Sequence, residues 1–295
     1  MKSSRTLALG SVAVSLVVLG VKFYAYAVTG SVALFSDALE SIINVATAGA
    51  ALWALQIAEQ PADARHPYGH SKAEYLSAVA EGVLIVGAAV VILWQAALAI
   101  HDPRSPEQPL LGLSISAIGT ALNLVWSLVL KRQARALRSP ALAADARHLM
   151  ADVVTSLGVV AGLVLVFATG KPIIDPVIAA LVALHVLWSG WLLTKESVGG
   201  LMDEAVPDDR LARIREVIAC TAEGAIEAHD IKSRCAGKLT FVEFHLVVPG
   251  DMSVTSAHDI CDRVERALTA EIPDTSVSIH VEPDDKRKHS GIVVL

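Results

Sequence analysis

The sequence has little charge and few aromatic residues for its length. Charged residues make up 18% of the 295-residue chain and aromatic residues 5%, whereas hydrophobic residues make up 54%. The mean hydropathy is +0.54. This composition is too apolar for the surface of a soluble enzyme, so it predicts a chain that lies largely in a membrane.

Cysteines and basic clusters are also scarce. The three cysteines, Cys220, Cys235 and Cys261, are widely spaced and form no C-x-x-C pair, which favours a reducing compartment over a disulfide framework. Since no basic patch interleaved with aromatic residues occurs, no nucleic-acid partner is expected. The net charge is −6, and residues 203–295 hold 18 acidic against 11 basic residues. The C-terminal third therefore has the character of an acidic, soluble domain.

The apolar part of the chain divides into stretches of the length that a membrane-spanning helix needs, about 20 residues. Polar segments or segments with Pro and Gly separate them. They predict six transmembrane helices at 7–28, 32–57, 76–100, 110–130, 149–169 and 176–194. Basic residues concentrate in the segment 131–147 and at the N-terminus, so the positive-inside rule predicts a multi-pass cell-membrane protein with both termini in the cytoplasm.

The acidic tail has a different pattern. Helical periodicity at 208–222 and 253–271 alternates with strand-like segments at 226–234, 239–248 and 276–282. This order predicts a cytosolic αββαβ domain of the α+β class, ferredoxin-like and metallochaperone-like in its arrangement. Such a small domain buries little core alone, so a homodimer is expected. The predicted domains are 1–200, a six-helix transmembrane domain, 201–285, a cytosolic metal-binding and dimerisation domain, and 286–295, a loose tail.

Two of the predicted spans contain polar residues four positions apart. Glu40 and Asn44 lie on the second span, and His148 and Asp152 open the fifth. Because four residues bring a helix round by slightly more than one turn, each pair shares a face. Two such helices facing each other would supply four nitrogen and oxygen ligands for Zn²⁺ or a similar ion. The alternative is that Glu40 and Asp152 are buried structural partners. Asp37 could hydrogen-bond a metal ligand, act as a proton site or cap the helix at the membrane interface.

Two further groups of potential ligands lie outside the predicted spans. Asp63, His66 and His70 fall within eight residues around Pro67 and Gly69, where they could close on one metal or simply form a solvated loop. The cytosolic tail carries His229, His245, His258, His280 and Glu282. Seven of the ten histidines belong to these three groups, which favours metal binding over chance placement.

Together these residues resemble the cation diffusion facilitator family of divalent-metal/proton antiporters, and most closely its zinc and ferrous-iron efflux branch. The resemblance covers nearly the whole chain and is strengthened by the run from Gly69 to Glu74. It implies that Glu40, Asn44, His148 and Asp152 form the transport site, that Asp63, His66 and His70 form a loop site, and that the tail residues form a two-metal site. It also implies a charge lock between Lys72 and Asp203 that joins the membrane and soluble parts across a dimer.

One position departs from the family pattern. The branch usually has Asp or His followed by Asp on the second span, whereas this chain has Glu40 and Asn44. The neutral amide weakens the case for Zn²⁺, so Fe²⁺, Mn²⁺, Co²⁺ and Cd²⁺ are also candidates, while His148 argues against Mg²⁺ and Ca²⁺.

The resemblance therefore predicts a non-enzymatic transporter that exports a divalent metal, most readily Zn²⁺, in exchange for protons by alternating access. A membrane metalloprotease is disfavoured because the chain has no H-E-x-x-H motif. A channel is disfavoured because a tight four-ligand site suits alternating access better than rapid conduction. A membrane metal sensor without flux remains the alternative, since its tail sites would look the same.

Overall fold

The computed structural model describes residues 4–29, 32–101, 109–171, 173–288 and 291–293. The chain divides into two compact units, the first ending at Val198 and the second beginning at Gly199. The sequence-predicted division after residue 200 lies two residues from this point.

The first unit is helical. In its described part the chain forms six long helices, α1 (Ser4–Thr29), α2 (Val32–Ala58), α3 (Ala73–His101), α4 (Pro109–Leu137), α5 (Pro140–Thr169) and α6 (Ile174–Leu201). Each contains one of the predicted apolar stretches and extends beyond it. Hydropathy detects only the apolar part of a helix, whereas backbone hydrogen bonding continues into polar residues, as in α4, which runs on through Lys131 and Arg132.

The connection between α4 and α5 is much shorter than the predicted loop at 131–147. Only Arg138 and Ser139 separate the two helices, with Arg138 in a left-handed conformation at φ +50°. The Ser139 hydroxyl accepts a hydrogen bond from the Leu142 N–H at 3.3 Å, and Pro140 occupies the first helical position, where its missing N–H costs nothing. These signals start α5 well before its apolar stretch, so His148 and Asp152 lie two turns or more inside the helix.

The outward faces of these helices are apolar. Large apolar side chains on these faces are more than half exposed, among them Trp53, Trp94, Leu181, Trp188 and Trp191. Exposing them is unfavourable in water but not in the hydrocarbon of a membrane. Among the described residues, Thr6–Tyr24 and Ala73–His101 are long and apolar enough to cross a membrane. The number of six spans remains a prediction.

The second unit follows the predicted αββαβ order. Its elements are α7 (Asp208–Thr221), β1 (Glu227–Ala236), β2 (Leu239–Val248), α8 (Val254–Glu271) and β3 (Thr275–Pro283), followed by a single 3-10 turn at Asp284–Lys286 and a short β4 (Ile292–Val293). The sequence predicts a loose tail from residue 286, but β4 pairs antiparallel with Glu227 and Ala228 of β1. Two residues are too few to give a recognisable strand pattern, so this pairing could not be read from the sequence.

The described strands form one sheet in the order β3-β2-β1-β4. β1 and β2 are antiparallel. β2 and β3 are parallel, and α8 supplies the long crossover connection that parallel strands require. Alternate residues of β2, including Phe244 and Leu246, join the hydrophobic core with Ile218 of α7 and Leu268 of α8. Since successive strand residues point to opposite faces, the odd-numbered residues of β2, including His245, lie on the face away from this core.

Candidate metal sites

The polar pairs of the helical unit come together at α5. His148 is buried, and its Nε2 lies 2.6 Å from the Oδ1 of Asn44 on α2. The other ring nitrogen of His148 and the amide nitrogen of Asn44 have no hydrogen-bond partner among the described residues. Buried polar atoms without partners are costly and rare in folded proteins. A bound metal ion would account for the open ring nitrogen of His148, because a neutral imidazole is a metal ligand, but not for the amide nitrogen of Asn44, which is a hydrogen-bond donor only.

Asp152 lies one turn further along α5 and is also buried. Its Oδ2 accepts a hydrogen bond from the Asn123 Nδ2 of α4 at 2.5 Å and lies 3.4 Å from the Lys22 Nζ of α1. Its Oδ1 has no partner in the described part of the chain. One carboxylate oxygen is therefore held by the protein, and the other is open.

Of the four residues predicted to form the transport site, the structure describes the side chains of three. Asn44, His148 and Asp152 are buried, and the first two are in direct contact. The side chains of Glu40 and Asp37 lie outside the described residues, so their part in the site stays a prediction. Lys22 and Asn123 were not predicted: they are 130 and 29 residues away from Asp152 in sequence, and only a lysine within an apolar run could have drawn attention.

The predicted loop site forms a compact cluster. His66 Nδ1 lies 3.2 Å from Asp63 Oδ1, His70 Nε2 lies 3.6 Å from Asp63 Oδ2, and the two histidines approach to 3.0 Å between Nε2 of His70 and Nδ1 of His66. Ligand atoms of all three residues lie within 4.8 Å of one another. One carboxylate and two imidazoles in this arrangement fit a transition-metal ion.

A tight turn brings these loop residues together. Asp63 Oδ1 accepts hydrogen bonds from the backbone N–H groups of Arg65 at 2.8 Å and His66 at 2.7 Å, and Gly69 reverses the chain at φ +82°. These two hydrogen bonds lower the pKa of Asp63 below its ordinary 3.8. The bond from His66 contributes most, followed by the bond from Arg65. The carboxylate is therefore ionised, as a metal ligand must be.

In the second unit, three predicted histidines form a row across the sheet. The strand register pairs His229 of β1 with His245 of β2 and His245 with His280 of β3. The ring centroids of His229 and His245 are 5.4 Å apart, and those of His245 and His280 are 5.0 Å apart. The row lies on the sheet face opposite the helices, because His245 alternates with core residues of β2.

Glu282, two residues after His280 on the same face, joins this row. Its Oε1 lies 3.1 Å from His245 Nδ1 and 3.8 Å from His280 Nε2, and its Oε2 lies 3.2 Å from His229 Nε2. Neither ring nitrogen of His229 makes a hydrogen bond within the described residues, although the side chain is buried. A buried imidazole with open nitrogens beside a carboxylate fits a transition-metal ligand.

Two acidic residues of this region were missed by the sequence analysis. Glu227 is 2% exposed, and its Oε1 lies 3.3 Å from His229 Nδ1. Asp230 forms a ligand group with His229 and His245, all within 4.8 Å. A β-bulge lies between His229 and Lys232, and Asp230 has φ +51°. Strand alternation would send Asp230 to the face opposite His229, so the bulge, which a sequence pattern does not reveal, is what brings it in.

Asp230 also has a cationic partner outside the histidine row. Its Oδ2 accepts a hydrogen bond from the Lys288 Nζ at 2.5 Å. This hydrogen bond lowers the pKa of Asp230 from its ordinary 3.8. Lys288 therefore ties the segment that follows β3 to the edge of this candidate ligand group.

The three remaining predicted residues are His258, Asp203 and Lys72. His258 lies on α8 with an exposed side chain and is 3.6 Å from Asp262 of the same helix; the described ligand groups do not include it. Asp203 Oδ1 lies 3.1 Å from Arg234 Nη1 within the second unit, and Lys72 belongs to the first unit. The ligand role of His258 and the Lys72–Asp203 lock therefore stay predictions.

Comparison with known proteins agrees with the two-unit organisation. Residues 8–202 match the model of the cation efflux transmembrane domain, and residues 206–284 match that of the cytoplasmic domain of cation efflux proteins. An uncharacterized transporter of Synechocystis sp. is 42% identical over 280 residues, which cover 95% of this chain and 90% of the relative. The cation-efflux pump FieF of Yersinia pestis is 29% identical over 276 residues, or 94% of this chain and 91% of that protein. A solved structure of CzrB in its zinc form is 47% identical, covers 29% of this chain and 98% of that one, and has a TM-score of 0.27.

Proposed function

This chain belongs to the cation efflux family, whose members are membrane transporters and not enzymes, and on that premise we propose that it exports a divalent transition-metal ion from the cytoplasm in exchange for protons. Zn²⁺ is the foremost substrate, with Fe²⁺, Mn²⁺, Co²⁺ and Cd²⁺ as further candidates. The protein works as a homodimer in the cell membrane, with both termini in the cytoplasm.

The buried contact between Asn44 and His148 carries this proposal. It lies between two apolar helices, is 2.6 Å long, and leaves one ring nitrogen open beside Asp152 on the same helix face. An imidazole nitrogen with carboxylate and amide oxygens suits borderline divalent metals, because Mg²⁺ and Ca²⁺ select oxygen ligands alone. Glu40 completes the proposed transport site as its fourth ligand.

Coupling to protons follows from the same ligands. His148 and Asp152 bind a metal only in their deprotonated forms, so metal and protons compete for one site. If the site opens alternately to the two sides, a metal released outside is replaced by protons that return inward. Exchange then requires no separate proton path through the protein.

The loop and cytosolic clusters support a regulatory role. Asp63, His66 and His70 form the proposed loop site, and His229, His245, His280 and Glu282, with Asp230, form the proposed cytosolic site, for which His258 is a further candidate ligand. The cytosolic unit carries most of the acidic charge of the chain, so bound metal would reduce repulsion between two copies. Occupancy would rise with cytosolic metal and tighten the dimer, which activates transport.

The test is metal flux into proteoliposomes that contain a metal-sensitive dye. Zn²⁺, Fe²⁺, Mn²⁺, Co²⁺ and Cd²⁺ are offered in turn, with and without a pH gradient, to the parent protein and to Asp152→Ala. We expect gradient-dependent flux in the parent and none in Asp152→Ala. The matched control is Glu59→Ala, which removes an exposed carboxylate from the residue that follows α2 and should leave flux unchanged.

Two outcomes separate this proposal from a metal sensor without flux. The cytosolic cluster would be needed in either case, so it does not distinguish the two functions. If the parent binds Zn²⁺ tightly but moves none of the five metals, the sensor is correct. If Asp152→Ala transports normally, the transport site is assigned wrongly. His245→Ala should slow transport or make it less sensitive to cytosolic metal, but should not abolish it.

A further inference from the structure

Lys22 is a buried cation in the middle of an apolar helix. It is 1% exposed, and its Nζ lies 3.4 Å from Asp152 Oδ2. Lysine is almost never fully buried unless it is paired, and within a membrane its burial is costly. The sequence analysis gave Lys22 no function, and it is one of the largest fully buried side chains among the described residues.

The fourth helix packs along Lys22 and also contacts Asp152. A methyl group placed on Gly119 would lie 3.7 Å from Lys22 Cε and 3.8 Å from Cγ, which are ordinary van der Waals distances, so α4 runs close beside the lysine stem at this position. One turn later, Asn123 donates a hydrogen bond to the same Oδ2 that faces Lys22. The protein thus occupies Oδ2 with two donors, whereas Oδ1 has no partner among the described residues.

We propose that Lys22 is a tethered cation that competes with the transported metal for Asp152. This inference rests on the proposed transport function. Without metal, the ammonium group compensates the buried carboxylate, which would otherwise lie uncompensated in a medium of low dielectric. A divalent ion that binds Asp152 meets an ammonium of like charge nearby, so Lys22 must move away before the metal is fully bound. The competition weakens metal binding and speeds metal release.

A purely structural role for the pair makes a different prediction. If Lys22 only fixes α1 to α5 and orients Asp152, its removal should loosen the site and raise the KM for metal. If it competes, its removal should lower the KM, since the metal no longer displaces a cation. Slower release would then lower kcat. The direction of the KM change therefore distinguishes the two roles.

The experiment measures initial rates of Zn²⁺ flux against Zn²⁺ concentration in proteoliposomes. Lys22→Met keeps the length of the side chain and removes its charge, and Lys22→Arg keeps the charge. We expect Lys22→Met, which removes the competing charge, to lower the KM about tenfold or more and to lower kcat as well. We expect Lys22→Arg, which keeps the charge, to stay within about threefold of the parent. Lys195→Met, which removes an exposed lysine from α6, should match the parent.

A KM for Lys22→Met that equals or exceeds that of the parent overturns the proposal. If Lys22→Met is inactive but elutes as a folded protein, equilibrium Zn²⁺ binding decides, measured with Asp63→Ala and His229→Ala present to remove the other sites. Tighter binding than the parent supports competition, and equal or weaker binding refutes it. Absence of Zn²⁺ flux in the parent itself would instead contradict the proposed function.

Discussion

Glu227 is expected to control the affinity of the cytosolic site although it need not touch the metal. Its carboxylate is 2% exposed and lies 3.3 Å from Nδ1 of His229. It is fixed from the other side by Arg287 Nε at 3.4 Å and by the Lys288 backbone N–H at 3.3 Å. The contact with His229 lacks hydrogen-bond geometry, but a carboxylate held on the Nδ1 side of the ring favours the tautomer with its proton on Nδ1, which leaves Nε2, next to Glu282, as the metal-binding atom.

The perturbation is Glu227→Gln, which keeps the shape of the side chain and removes its charge. Loss of such an outer carboxylate typically weakens metal binding about 10- to 100-fold, which is about 1.4–2.7 kcal/mol. We expect a loss in this range for Zn²⁺. Glu243→Gln on the neighbouring strand removes an exposed carboxylate and should change affinity by less than about threefold.

The assay is competition for Zn²⁺ between the full-length protein and a chelating dye. Asp63→Ala and Asp152→Ala are present in every sample, so that the signal comes from the cytosolic site alone. Equal affinity for Glu227→Gln and the parent would refute the reasoning, because Glu227 would then not orient His229. An equal loss for Glu243→Gln would show that net charge, and not this contact, sets the affinity.

Three other predictions concern the loop and the cytosolic unit. Asp63→Asn removes the charge and should weaken metal binding by the loop, but it keeps an oxygen that accepts the two backbone N–H groups, so tryptic cleavage after Arg65 should stay at the parent rate. Asp63→Ala loses both and should raise the cleavage rate as well; equal cleavage of Asp63→Ala and the parent would contradict the role of these hydrogen bonds in the turn. Ser253→Ala removes the N-cap oxygen of α8 and should lower the free energy of unfolding of the cytosolic unit by about 1 kcal/mol in urea; no change would exclude the cap. Asp230→Asn should destabilise metal-free protein more at pH 7 than at pH 2, because the lowered pKa of Asp230 makes its contribution fully present well above about 3.8 and lost as pH falls through the lower folded value; a pH-independent difference would contradict this.

The regular elements of the cytosolic unit were predictable because their periodicity is strong. β2 has the predicted bounds of 239–248, and α7, α8, β1 and β3 differ from the predicted bounds by at most two residues. The N-cap of α8 is Ser253, whose hydroxyl accepts the Ser256 N–H at 3.1 Å.

What sequence reasoning missed depends on contacts between distant residues or on local irregularity. Lys22 reaches Asp152 across 130 positions, and no local pattern encodes which helices lie side by side. Asp230 depends on a bulge, which breaks the alternation that any strand prediction assumes. Hydropathy found every apolar stretch but not the helix ends, since capping by Ser139 and Pro140, not apolarity, decides where α5 begins.

The histidine row has a consequence for how long the protein survives in the cell. His229, His245 and His280 are neighbours only while three strands keep their register, and a slip of one residue would turn a histidine to the other face of the sheet. An unfolded chain therefore lacks the proposed site, and a metal bound there would stabilise the folded form by about 2.7 kcal/mol at a free concentration of about 100 times Kd, provided that the unfolded chain does not bind it. Cells rich in the metal would degrade the exporter more slowly, so its abundance would rise with its cargo without any change in gene expression.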